Sequence, residues 1–241
     1  MRHQMEIYGH RGAKGVVMEN SLQGFIATAK EGIERFELDI RLSADKQLIV
    51  VHDERLMRLA NSPLLVSQTH SDELSKTLLN NTSEGIPKLS DVVKACPSIK
   101  HWQFEIKTDT NNTDFIEPMK QLINTLELHH KVTITSLHRG ILKSFKSALP
   151  KIPRGYVQET LYPNGIKAAK KLGCSMLVLN KNLAKKSYVK RAQKKGLHVS
   201  IWTVNKTEDM ERFISFEADS LISDYPQTAL NLIQSNLKIN I

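Results

Sequence analysis

Strand-like runs rich in β-branched and aromatic residues alternate with segments of helical period along almost the whole chain, and that alternation permits few architectures. Repeated βα units build a parallel sheet, because two parallel strands must be joined by a crossover, usually a helix. Strand candidates stand near residues 5–9, 33–40, 47–52, 101–107, 131–137, 153–157, 175–179, 197–204 and 219–223. A TIM-type (β/α)8 barrel needs eight, one fewer than these. The connection Arg41 to Lys46 is too short for a crossover helix, so 47–52 is predicted as the return strand of a hairpin. A turn centred near Ala44-Asp45 pairs Ile40 with Ile49 and sets Glu37 opposite His52.

Face alternation predicts an apolar outside and a polar mouth. Phe36, Leu38 and Ile40 share one face of their strand while Arg35, Glu37 and Asp39 share the other; Trp102, Phe104 and Ile106 oppose His101, Gln103, Glu105 and Lys107. The apolar face must pack on helices, so the polar one points into the barrel. The same logic turns Leu197, Val199 and Ile201 outward and His198, Ser200 and Trp202 inward, with Trp202 at the strand end where barrel sites are built. Between Glu54 and Pro87 the pattern lapses into Ser, Asn and Thr with short apolar pieces, which predicts a small cap insertion after the His52-Asp53 strand, over the mouth. Residues 1–241 are otherwise expected to form one barrel domain, since 241 residues with 40% hydrophobic content suffice for one core and no linker or repeat interrupts them.

Composition removes several classes of function. No stretch approaches the roughly 18 apolar residues of a membrane span, Met1 to Gln4 run into a strand without an apolar leader, and no long amphipathic or apolar membrane face is visible. The chain reads as soluble and cytoplasmic, with no stable membrane insertion. Cys96 and Cys174 lie in unrelated segments and are expected as reduced structural thiols. The net charge of +9 is concentrated in Lys-rich helical segments such as Lys167 to Lys171 and Lys190 to Lys195, read as solvated helix faces and as a field that favours anionic substrates. Nucleic acid is not an expected partner, because no helix-turn-helix, zinc or aromatic-plus-basic signature accompanies the charge. A homodimer is compatible with the sequence.

The ends of the predicted strands carry the chemistry. Glu37 and Asp39, two apart on a strand, face the same way at about 7 Å along the backbone and repel unless protonated or bridged by a cation. With Glu105 from a later strand they suit a hard divalent ion, Mg²⁺ or Ca²⁺ rather than Zn²⁺, since neither a cysteine nor a histidine pair completes a tetrahedral set. His10 and His52 flank these carboxylates, and imidazole can give or take a proton near neutral pH. Arg11 and Lys107 adjoin the same spot and suit the non-bridging oxygens of a phosphate. Gly12 and Gly15 loosen the loop after the first strand, and Asn20 or Ser21 caps the helix Leu22 to Lys30. Glu19 is placed to hydrogen-bond His10 or to reach substrate hydroxyls, and Trp202 to wall the substrate. Two histidines, three carboxylates and two cations together suit metal-assisted cleavage of a phosphodiester.

The pattern His10-Arg11-Gly12, Glu19-Asn20-Ser21, Glu37-x-Asp39, His52-Asp53, Glu105-x-Lys107, Trp202-Thr203-Val204-Asn205 and Ser223-Asp224-Tyr225-Pro226 resembles the glycerophosphodiester phosphodiesterases along essentially the whole chain. The resemblance implies a TIM-type barrel, a divalent cation and hydrolysis of a small-molecule glycerophosphodiester to sn-glycerol 3-phosphate and an alcohol. It also implies His10 and His52 as acid and base, Glu37, Asp39 and Glu105 as metal ligands, and Arg11 with Lys107 at the phosphate. Ser21 stands where the family usually has Thr, Lys46 where a hairpin Gly is usual, and Leu59-Ala60-Asn61 where Thr is common. These departures bear on substrate preference more than on activity. A lysophospholipase D-like activity on the same barrel and a non-catalytic phosphate-ligand module are the alternatives.

Overall fold

The computed structural model describes residues 5–108 and 113–239; the expectation for Met1 to Gln4 lies outside them. In chain order the elements are β1 (Glu6–His10), α1 (Leu22–Lys30), β2 (Arg35–Leu42), β3 (Leu48–Val50), α2 (Met57–Ala60), α3 (Ser71–Leu74), α4 (Leu89–Ala95), β4 (His101–Ile106), α5 (Ile116–Thr125) and β5 (Val132–Ser136). There follow α6 (Arg139–Ala148), β6 (Arg154–Gln158), α7 (Gly165–Leu172), β7 (Met176–Asn180), α8 (Lys186–Lys194), β8 (His198–Trp202), α9 (Thr207–Ser215), β9 (Ser220–Ser223) and α10 (Pro226–Ile239).

Strands pair in the order β1-β9-β8-β7-β6-β5-β4-β2, and β1 pairs with β2 to close the ring; β3 pairs antiparallel with the C-terminal end of β2, on the edge β2 shares with β1. The fold is therefore a TIM-type barrel of eight parallel strands plus one hairpin strand, as the alternation predicts. Phe36, Leu38, Ile40, Trp102, Phe104 and Ile106 pack outward with Phe25 and Val92 in one continuous core, and Leu197, Val199 and Ile201 join α7 to α9 in a second. Inside, the lower barrel is plugged by hydrogen-bonded side chains: Tyr8 Oη lies 2.9 Å from His101 Nδ1, and His198 Nε2 lies 2.8 Å from Ser220 Oγ. Burial lowers the His101 imidazole to about 4, a structural group held neutral in the fold.

The hairpin departs from expectation by one residue. Ile40 pairs with Val50 and Arg41 with Ile49, so His52 comes level with Leu38 rather than with Glu37. The turn Ser43–Gln47 has five residues, closed by Gln47 N–H on Ser43 Oγ and by Ser43 Oγ–H on Asp45, and Lys46 takes the left-handed conformation at φ 61°. An extra turn residue moves every partner on one strand by one position.

The segment 54–87 is also placed differently from the predicted roof. Leu56, Leu59, Val66, Leu74, Leu79 and Ile86 pack on Ile49 and Val51, the face of β3 turned away from the barrel helices. An antiparallel strand at a barrel's outer edge has two faces to cover, and the insertion covers the second. None of its residues lines the barrel cavity.

Candidate active site

Neighbouring strand ends deliver the polar groups to one place. β1 and β2 pair His10 with Glu37, and β2 and β4 pair Asp39 with Glu105, so the three carboxylates rise at adjacent strand ends. One oxygen from each of Glu37, Asp39 and Glu105 lies within 4.8 Å of the others. Arg11 follows β1 in a left-handed turn at φ 53°, its amide bonded to Glu37 O at 2.8 Å, which swings the guanidinium back over β2. There Arg11 Nε lies 2.9 Å from Asp39 Oδ2, and Lys107 Nζ lies 2.6 Å from Glu105 Oε1 and 3.4 Å from Asp39 Oδ1. His52 stands two residues beyond β3, its carbonyl accepting Arg41 Nε–H at 2.8 Å. A cavity of about 190 Å³ is lined by His10, Arg11, Glu37, His52, Glu105, Lys107 and Trp202, among others.

The electrostatics favour a bound cation. Glu37 and Asp39 are almost wholly buried, yet both Glu37 carboxylate oxygens and Asp39 Oδ1 accept no hydrogen bond. Burial and then the facing Asp39 and Glu105 carboxylates push the Glu37 carboxyl well above the usual carboxylate range. Burial acts the same way on Asp39, but Arg11 and Lys107 outweigh it and hold that group ionised. Buried acceptors without donors ask for a partner, and an oxygen-seeking ion supplies one. The spacing fits Ca²⁺ as it stands, since its ligand oxygens span at most about 4.6–5.2 Å, and the set would have to draw in slightly around Mg²⁺, whose ligands span about 4 Å. The carboxylate set thus has the donor chemistry and the size of a hard-cation site.

Each histidine is backed by an aspartate that strand patterning does not single out. His10 Nδ1 lies 2.5 Å from Asp224 Oδ1, which β9 delivers because it pairs with β1. Asp224 is itself fixed by Asn205, whose Nδ2–H donates to Oδ2 at 2.7 Å while its Oδ1 accepts the Asp224 amide at 3.0 Å. His52 Nδ1 lies 2.6 Å from Asp53 Oδ1, and Arg58 Nε–H donates to Asp53 Oδ2 at 2.6 Å. Burial, aided by Arg11 and Lys107 and opposed by Asp39, lowers the His52 imidazole, so it is neutral at pH 7. With both Nδ1 atoms occupied, each histidine is left with Nε2 to exchange protons; that of His10 lies 3.7 Å from Glu37.

Other expectations are redistributed. Glu19 does not bond His10; it is buried and receives Arg11 and both terminal nitrogens of Arg58, each at 2.9 Å. Burial works against its ionisation, but Arg58 and Arg11 prevail and hold it at about 2. A chain Asp39–Arg11–Glu19–Arg58–Asp53–His52 results and ties the insertion to the site, and Glu54 of the insertion also meets the cavity residue Arg41 at 2.9 Å. Ser21 caps α1, accepting Gly24 N–H, whereas Asn20 donates to Asp39 Oδ2 at 3.0 Å. A Cβ on Gly15 would fall 2.4 Å from the Tyr225 ring, so ring packing rather than ligand access requires that glycine. Trp202 reaches the cavity with its buried indole N–H unpaired.

Comparison with known proteins agrees in fold and sequence. The chain is 26% identical over 244 residues to a glycerophosphodiester phosphodiesterase of Caldanaerobacter subterraneus subsp. tengcongensis, covering 95% of this chain and 97% of that one. It is 24% identical over 250 residues to a glycerophosphodiester phosphodiesterase of Bacillus altitudinis, covering 94% and 97%. Its fold superposes with a TM-score of 0.86 on a phosphodiesterase of Oleispira antarctica solved with the product sn-glycerol-3-phosphate, at 23% identity and covering 95% and 96% of the two chains. No described helix is long and apolar enough to cross a membrane. Residues 10–228 match the glycerophosphoryl diester phosphodiesterase family, and the chain belongs to that family.

Proposed function

We infer that this protein hydrolyses glycerophosphodiesters, such as glycerophosphocholine or glycerophosphoethanolamine, to sn-glycerol 3-phosphate and an alcohol. The observation that carries the reading is one small cavity lined by two histidines, each backed by an aspartate, beside a carboxylate cluster and two cations. Arg11 and Lys107 draw in the phosphate and neutralise its non-bridging oxygens, Arg11 remaining held from behind by Glu19. His52, neutral at pH 7, takes the proton of the attacking oxygen at Nε2 as the new P–O bond forms. His10 gives its Nε2 proton to the departing alkoxide as the old P–O bond breaks. The attacking oxygen is that of water or the substrate's own glycerol 2-hydroxyl, and the second route passes through a cyclic phosphate that water then opens. Trp202 walls the substrate and offers its indole N–H to an oxygen of it.

Glu37, Asp39 and Glu105 would hold the divalent cation, Mg²⁺ or Ca²⁺. That cation supplies Lewis acidity toward the phosphate and charge balance for the cluster.

The test is release of sn-glycerol 3-phosphate from the two substrates with Mg²⁺, Ca²⁺ or EDTA, in wild type, His10→Ala and His52→Ala. The expected result is metal-dependent turnover that both substitutions lower by several orders of magnitude. Binding of glycerophosphocholine without turnover at any divalent metal would instead make the protein a phosphate-ligand module.

A further inference from the structure

Seven large apolar side chains are exposed among the described residues, and their distribution is lopsided: Val16, Leu137, Leu161, Tyr162 and Tyr225 all belong to loops that follow barrel strands at the cavity end. The other two, Met57 and Leu78, belong to the insertion. Val16 follows β1 and Tyr225 follows β9, whereas Leu137 follows β5 and the pair Leu161-Tyr162 follows β6. In the closed strand order β6 stands across the ring from β1, and β5 across from β9. The apolar groups therefore straddle the mouth. Leu161 and Tyr162 are the barest, at 68% and 85% exposure, and Tyr162 is held out between Leu161 and Pro163 by Thr160 Oγ1 donating to its carbonyl.

Between the two apolar arcs lie the loops after β7 and β8, which carry the exposed Lys185, Lys186 and Lys206; Lys14 and Arg139 are exposed beside the apolar residues of β1 and β5. Glu159 and Glu208 are the exposed acids of these same segments, so the rim is net positive. Scattered aromatic and aliphatic tips interleaved with lysine are how proteins meet the headgroup region of a bilayer. A protein-binding patch is built otherwise, with charge depleted at its centre. Here the centre is the open cavity itself, and at about 190 Å³ it is smaller than the roughly 300–1,000 Å³ of drug-sized ligand sites. A headgroup-sized diester fits inside; anything longer attached to it must lie across the rim.

We propose that the mouth rim docks on an anionic lipid surface, with Leu161 and Tyr162 entering the headgroup layer, Val16 and Tyr225 steadying the opposite side, and Lys185, Lys186 and Lys206 engaging lipid phosphates. The cavity then faces the bilayer and receives phosphodiester headgroups from it. The docking itself does not depend on hydrolysis; only its purpose rests on the activity inferred above.

The experiment is co-sedimentation of the protein with vesicles of phosphatidylglycerol and phosphatidylcholine in equal parts, and with phosphatidylcholine alone, at moderate salt. Wild type is expected to bind the anionic vesicles, and Leu161→Ser with Tyr162→Ser to weaken that binding by about tenfold or more. The rate on soluble glycerophosphocholine should be unchanged in that variant, since neither residue lines the cavity. Lys185→Glu with Lys186→Glu, on a separate loop, should weaken anionic binding alone and fold normally, both side chains being exposed. Failure of wild type to bind anionic vesicles, or a Leu161/Tyr162 double variant that binds as wild type does, overturns the proposal. So does concentration-dependent self-association that the double variant loses while vesicles are ignored, which would assign the rim to a second copy. Vesicle binding without turnover of any soluble diester would leave docking in place and remove the hydrolytic reading.

Discussion

Asp224→Asn is the substitution that tests the histidine geometry most sharply. Asn205 is oriented from behind, because its Oδ1 accepts the Asp224 backbone N–H at 3.0 Å, so its Nδ2–H must face the Asp224 side chain at 2.7 Å. An asparagine at 224 therefore turns its carbonyl oxygen to Asn205 and its NH2 to His10 Nδ1. That NH2 can only donate, so Nδ1 must be unprotonated and the single ring proton sits on Nε2. A neutral imidazole of this kind is a very weak acid, and the imidazolium that would serve as the proton donor meets a donor instead of a carboxylate. Replacing the corresponding aspartate by asparagine in a serine protease triad costs roughly 10⁴ in kcat for the same reason of wrong tautomer. Here the Asp224 side chain is 17% exposed and water can rescue part of the loss. We expect kcat to fall by about 10²–10⁴, or about 3–5 kcal/mol of transition-state stabilisation. KM should change little, because Asp224 does not line the cavity. The assay is steady-state hydrolysis of glycerophosphocholine by wild type, Asp224→Asn, His10→Ala and the double variant. Once His10 is gone the asparagine should cost nothing more, since residues acting as a unit are not additive. Wild-type kcat in Asp224→Asn, or a double variant slower than His10→Ala by the full single-mutant factor, would refute the reasoning.

Three further outcomes follow from the same contacts. Arg58→Ala removes the group that ties Asp53 to Glu19 and should lower kcat by roughly tenfold at a stability cost of about 1–3 kcal/mol, read from kinetics and urea unfolding. Retention of full activity there would show that the insertion does not position His52. Glu37→Gln removes a buried carboxyl raised by burial, Asp39 and Glu105; in EDTA its Tm should stay level or rise by roughly 2–4 °C, while the rise that Mg²⁺ or Ca²⁺ gives wild type is lost along with turnover. A metal-induced rise equal to wild type's would remove Glu37 from the ligand set. The third concerns His101, which burial holds at about 4 in the fold against an ordinary value near 6.5 when unfolded. The unfolded chain binds the extra proton between those values, so stability contributed by neutral His101 is whole above pH 6.5 and is lost as pH falls toward 4, at most about 3 kcal/mol. Urea unfolding at pH 7 and pH 4.5 should show a smaller pH dependence for His101→Gln than for wild type; equal slopes would count against it.

The barrel was legible because two periods sufficed to read it. Alternation along 33–40 and 101–107 separated outward Phe36, Leu38, Trp102 and Phe104 from inward Glu37, Asp39 and Glu105, and it did so because each strand has one face on helices and one in the barrel. The hairpin register was not legible, since a left-handed Lys46 adds a turn residue where the usual hairpin signal is glycine. The insertion's position was hidden for a different reason. Its apolar pieces are short, and whether they roof the mouth or cover Ile49 and Val51 depends on which surface β3 leaves bare. Asp224 and Asn205 stood in the sequence beside a strand end, but nothing local ties them to His10, 195 or more residues away. Only the closing β9–β1 pair does so.

That closure also explains why the two histidines are held by such different means. His10 sits within the ring, on a strand flanked by β2 and β9, so its aspartate can come from the far end of the chain and be fixed by backbone and by Asn205. His52 sits beyond a three-residue strand bonded on one side to β2, where no barrel neighbour is available to supply a partner. Its aspartate must be local, Asp53, and that aspartate needs an arginine from the insertion to orient it. The insertion is therefore required less as a lid than as the missing neighbour of the hairpin: it buries the bare face of β3 and sends Arg58 back to the site. Loosening the insertion should consequently move His52 while leaving His10 and the carboxylates of β2 and β4 in place.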